Sequence, residues 1–189
     1  MAADLNQLDP VFREKMIQVY AACIARGYEF RPNFTGRTPW QQARLWRQGH
    51  SFEEVQEKAA RLSSVGARYL ADILLSVGPQ QGRWATDALP GMSWHNFKPS
   101  KACDSFLLID GKAEWNGEHP GYLALAEEGA NVGLTNMRKL HDYGHLQLEA
   151  REVPEIYNLA ALSQAMQQMW GEKEIPYSLE EKSNAVAGS

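Results

Sequence analysis

Cysteine is scarce in this 189-residue chain: only Cys23 and Cys103 occur. Two thiols build neither a disulfide framework nor a cysteine-rich zinc module, so a metal bound here must be held by histidine and carboxylate. Long apolar runs are missing as well. The longest candidate, YLADILLSV, carries Asp72 and stops at Gly78, short of the roughly 18 residues that a membrane span needs, so no membrane insertion is expected. Basic excess is also missing: 19 Lys and Arg stand against 23 Asp and Glu, a formal net charge of −4, with no Lys/Arg-rich run. That removes the overall electrostatic footprint of a nucleic-acid or anionic-membrane binder. The first residues, MAADLNQLDPVFREKM, lack the basic-then-apolar order of a secretory signal, which predicts a chain made in the cytoplasm.

What is present suits an ordinary globular domain. The chain is 44% hydrophobic and 22% charged, enough to bury a core without staples. A single domain over residues 1–172 is expected, monomeric, followed by a flexible tail at 173–189 in which SLEEKSNAVAGS has the composition of disorder. Asp9 before Pro10 signals a helix start, and Phe12, Met16, Val19, Cys23 and Ile24 recur at helical spacing, so residues 10–26 are predicted helical. YEFRPNF reads as an extended segment. Thr38, Pro39 and Gln41 form a capping-box pattern that opens a helix over 39–48, with Arg37 immediately before it. Ser51 and Glu54 repeat the pattern ahead of an apolar stripe from Phe52 to Val77, a long helix with a break expected at Gly66. CDSFLLID followed by Asp110 and Gly111 signals a hairpin, residues 120–131 a helix, HLQLE at 145–149 a strand, and Pro154 to Trp170 an amphipathic helix. Helices flanking a small antiparallel strand cluster make an α+β fold.

Among the five histidines, His95 lies upstream of Asp104, and His145 lies three residues after Asp142. Separated His and Asp ligands are the donor set of an open zinc site, which leaves one position for water, and a nearby free carboxylate can move that water's proton.

These residues also carry a resemblance. TDALPGMSWHNFKPSKACDSF resembles the SxHxxGxAxD signature of the M15 zinc peptidases, the family of D-Ala-D-Ala dipeptidases and carboxypeptidases and of phage L-alanyl-D-glutamate endopeptidases. DYGHLQL is similar to that family's later (D/E)xxH element, and TGRTPWQQARLWRQG to its arginine-bearing segment. The likeness spans residues 28–149 and implies a hedgehog-like D-Ala-D-Ala peptidase fold. It implies zinc on His95, Asp104 and His145, Asp142 as catalytic base, Arg37 as oxyanion stabiliser and substrate contact, and Ser93 as a substrate contact. The implied partner is the peptidoglycan stem peptide, cleaved outside the cytoplasm by a phage-type endolysin or an injected toxin. A D-Ala-D-Ala carboxypeptidase or dipeptidase shares the same motifs, and a non-catalytic binding protein could retain the fold.

Two departures stand out. NFKPSKAC puts eight residues between His95 and Asp104, two more than the family pattern, which a proline-containing bulge before the strand can absorb. The stretch LTNMRKLHDYGH lacks the Gly- and Trp-rich segment that often precedes the last motif. His141 is expected in solvent or beside the ligands, and His50 and His119 on the surface. Trp40, Trp46 and Trp170 are expected in the core or half-buried rather than as a sugar-stacking platform. Trp94, Phe97 and Trp115 are candidates for a substrate groove. Cys103 should point away from Asp104 across the strand, and both cysteines should be free, buried thiols.

Overall fold

The Asp9 carboxylate accepts from the backbone N–H groups of Val11 and Phe12, Pro10 fills the first turn, and helix α1 runs Pro10–Ala25. The computed structural model describes residues 3–171, so the tail expected at 173–189 lies outside the described residues. Strand β1 (Glu29–Phe34) follows, then helix α2 (Pro39–Arg47), whose Thr38 and Gln41 close the anticipated capping box. The stripe from Phe52 to Val77 forms two helices rather than one. Gly66 takes a φ of +82° and ends α3 (Phe52–Ser64) before α4 (Arg68–Ser76) begins. Strands β2 (Ala102–Ile109) and β3 (Lys112–Glu114) meet at Asp110 and Gly111, with φ of +50° and +76°, the left-handed pair that a tight hairpin needs. Helix α5 (Pro120–Asn131) leads to β4 (Thr135–Met137), a short strand absent from the sequence expectation. Strand β5 (Asp142–Gln147) starts earlier than the predicted 145–149, and the last predicted helix divides into α6 (Val153–Ile156) and α7 (Leu159–Trp170).

The strands pair antiparallel in the order β1-β2-β5-β4, with β3 on β2, so the architecture is the α+β arrangement expected. Strand alternation sends Cys103, Leu107, Phe30 and Leu146 to one face, where they bury against α1 and α5 with Phe12, Met16, Val19 and Leu125. A second core forms among α2, α3, α4 and α7 around Trp40, Trp46, Leu70, Leu74, Leu162 and Met166. Trp94 and Phe97 join this second core, 2% and 8% exposed, so they are packing residues and not walls of a groove. Trp40 and Trp46 are buried as expected. Trp170 is half-buried, its indole N–H donating to the Asn96 carbonyl at 2.7 Å. Trp115 stays exposed, tilted on Phe106 with ring centroids 5.4 Å apart.

The eight residues between His95 and Asp104 form a pinned excursion. Ser100 donates its N–H to the Gln7 carbonyl at 2.9 Å and accepts from the Asp9 N–H at 2.8 Å, making a short parallel bridge with Leu8. The Lys98 ammonium stands 3.4 Å from the Trp170 ring centroid. Residues from both ends of the chain therefore hold the segment between His95 and β2. Among the described residues, no helix is long and apolar enough to cross a membrane.

Candidate metal centre

Asp104 and His145 are brought together by strand register. They are direct partners in the β2–β5 ladder, so their side chains leave the same face one strand apart. Gly144 makes this closeness possible: a Cβ there would stand 2.2 Å from the Ser105 backbone oxygen, which no side chain tolerates. His95 arrives from a different element, a single 3-10 turn at Trp94–Asn96, where the Ser93 hydroxyl accepts from the His95 N–H at 3.4 Å. The turn is locked to the start of α2 by paired bonds: Arg37 N–H donates to the His95 carbonyl at 2.9 Å, and the Asn96 amide donates to the Arg37 carbonyl at 3.1 Å.

His95, Asp104 and His145 each offer a ligand atom, and these atoms all lie within 4.8 Å of one another. His95 Nε2 is 3.1 Å and His145 Nδ1 2.9 Å from the same carboxylate oxygen, Asp104 Oδ1. On a tetrahedral ion with bonds of about 2.0–2.1 Å, ligand atoms stand roughly 3.3 Å apart, near both separations from Asp104 Oδ1, so the three residues could hold a metal ion. His95 is 1% exposed and its Nδ1 is buried without a partner, while His145 is 8% exposed. The second ring nitrogen of His145, Nε2, lies 3.1 Å from Gln147 Oε1.

The charges around this centre act on one another. Burial raises the Asp104 carboxyl, but the His95 and His145 rings and the Arg37 guanidinium outweigh it and hold the group well below the usual carboxylate range. Burial pushes the His95 imidazole down to about 4, leaving it neutral and able to bind a metal. Burial also disfavours charge on His145, yet hydrogen bonding to Asp104 and the Asp104 and Asp142 charges reverse the sign and raise it. Asp142 keeps 58% of its side chain open, with one carboxylate oxygen 3.8 Å from His145 Nδ1. The protein around that carboxyl raises it, Asp104 adds to the rise, and His145 and Arg37 oppose it.

Arg37 reaches the centre by pairing one guanidinium nitrogen with Asp104 Oδ2, and its guanidinium lies 5.0 Å from the Phe34 ring centroid. Ser93 is half-buried and caps the turn that carries His95. His141 is exposed in a left-handed conformation, φ +61°, with Nδ1 3.0 Å from the Tyr143 hydroxyl. His50 and His119 are half-buried rather than on the open surface. His50 stacks on Trp46 at 3.9 Å, and His119 accepts from the Gly121 N–H to start α5. Cys23 and Cys103 are free and buried, and burial pushes their thiols up to about 11 and about 12.

Sequence reasoning missed two glutamines. Gln42 is fully buried; its amide donates to the Ala88 carbonyl at 2.9 Å and its oxygen lies 3.5 Å from an Arg37 nitrogen. Gln147 is 2% exposed and shares the face of His145 because it lies two positions further along the strand. A polar residue at that period-two offset from a candidate ligand was the available signal. No protein-family model matches this chain. A search of curated proteins likewise finds no relative.

Proposed function

We propose that this protein is a zinc-dependent peptidase that cleaves a peptide bond of the peptidoglycan stem, of the L-alanyl-D-glutamate type, as the sequence resemblance implies. The observation that carries the reading is the convergence of His95, Asp104 and His145, drawn from two separate elements and a turn, with ligand atoms within 4.8 Å of one another. Zinc, when bound, supplies Lewis acidity to the hydrolysis. Asp142, on the open rim and raised toward the range where a carboxyl can both accept and return a proton, takes the proton of the attacking water and delivers it to the leaving amine. Arg37 adds fixed positive charge beside the reacting carbonyl oxygen, an effect commonly worth several kcal/mol of barrier. The wall substrate lies outside the cytoplasm, and the enzyme acts on it there.

Elemental analysis of the purified protein, with mass spectrometry of digested muropeptides, tests this reading. One zinc per chain and release of intact stem peptides from muramoyl-L-Ala are expected. Loss of terminal D-Ala instead would assign a carboxypeptidase, and absence of both metal and products would refute the enzyme. His145→Ala should lose zinc and activity together, whereas Asp142→Ala should lose activity and keep most of the metal. Equal metal loss in both would make Asp142 a ligand.

A further inference from the structure

Buried glutamines are uncommon unless their amides are used, and Gln147 uses both ends of its amide. Its nitrogen donates to the Glu149 carbonyl at 2.9 Å and lies 3.4 Å from Glu152 Oε1. Those two acceptors fix which way the amide points, because an amide turned by half would set its oxygen against two oxygens. The oxygen is therefore the atom that faces His145 Nε2 at 3.1 Å, and Nε2 must carry a hydrogen to meet it. With Nε2 committed to Gln147, Nδ1 is the nitrogen left for the cluster, 2.9 Å from Asp104 Oδ1: it donates a hydrogen to that carboxylate without an ion, and its lone pair would replace that hydrogen on an ion. Glu149 is itself held by Lys101 at 2.7 Å, and the Lys101 ammonium sits 5.2 Å from the Trp94 ring centroid, so the chain of contacts ends in the second core.

We infer that Gln147 is a positioning residue for the metal centre, directing His145 to coordinate through Nδ1. The inference rests on the zinc reading proposed above and adds a residue which that reading does not contain. A hydrogen-bond partner on the far nitrogen of a metal-bound histidine typically changes metal affinity by about 10–100-fold. Gln147→Met fills the same space and removes the acceptor.

The test is zinc affinity of the full chain by chelator competition, with the rate of zinc release and the metal-free melting temperature measured beside it. Wild type should bind zinc tightly, and Gln147→Met should bind about 10–100-fold more weakly and release it faster. A residue that only packs would lower the melting temperature of the metal-free methionine variant and leave zinc affinity unchanged, which overturns the inference. A wild type without zinc affinity overturns the zinc reading and the inference together, whereas tight wild-type binding with equal affinity in Gln147→Met overturns the inference alone. Should Gln147→Met not fold, nitrogen NMR of the zinc-loaded wild type decides: a protected hydrogen on His145 Nε2 supports the inference, and a hydrogen on Nδ1 overturns it.

Discussion

Asp104→Asn removes one negative charge from a site where three positive or protonatable groups meet it: Arg37, His95 and His145. The Arg37 and Asp104 side chains are only 16% and 18% exposed, so water screens the pair less than it screens a surface ion pair. Arg37 cannot discharge by losing its proton, and the variant leaves it nearly buried without an anion. Breaking a buried pair from one side costs roughly 3–5 kcal/mol; with the residual exposure and an amide that still accepts one bond, about 2–4 kcal/mol is expected for the metal-free protein. For a chain of this size that is a fall in Tm of roughly 5–15 °C. The assay is urea unfolding in the presence of a chelator, for Asp104→Asn, Arg37→Met and the double variant. Removing Arg37 as well should relieve the unpaired charge, so the double variant should be more stable than the sum of the single losses predicts, by about 1–2 kcal/mol. Additive losses, or an Asp104→Asn cost below about 1 kcal/mol, would refute the claim that this carboxylate neutralises a partly buried guanidinium.

Gly144→Ala should displace β5 from β2, because the new Cβ would meet backbone rather than a flexible side chain at 2.2 Å. Its expected signature is a stability loss on the order of 2 kcal/mol together with weaker zinc binding, read by melting curves and chelator competition; unchanged zinc affinity would mean that His145 does not depend on this close approach. Cys23 and Cys103 should resist a thiol reagent at pH 8 in the folded protein and react at once in denaturant, since burial suppresses both thiolates. Rapid labelling of the native chain would show that at least one of these thiols is accessible.

The sequence was most informative where a signal is local. Asp9 with Pro10, Thr38 with Gln41, and Asp110 with Gly111 each contain the chemistry of their own boundary, and each lies where it was expected. Gly66 was legible as an interruption, although periodicity alone would have joined the helices on either side, since one apolar stripe serves both. What depends on distant partners was poorly legible. The three residues of β4 carry no pattern of their own and are strand only because β5 pairs with them. Trp94 and Phe97, beside His95, suggest a groove when read along the chain, and are core because they pack on each other and on Tyr157, more than fifty positions away. The candidate ligands were named in the sequence only through its resemblance to a known family, and the pairing of Arg37 with Asp104, which spans 67 positions, needed the fold.

The two cores contribute unequally to the centre. His95, between Trp94 and Phe97, is carried by the helical core, while Asp104 and His145 ride on the sheet that covers the other. An ion held by all three would act as a rivet across a seam already bridged by the Arg37–Asp104 pair and by the Lys101 N–H to the Trp94 carbonyl. Partial openings that part the layers would then have to break metal bonds. Loading should therefore slow amide hydrogen exchange in α4 and α7, well away from any ligand, and not only in β2 and β5.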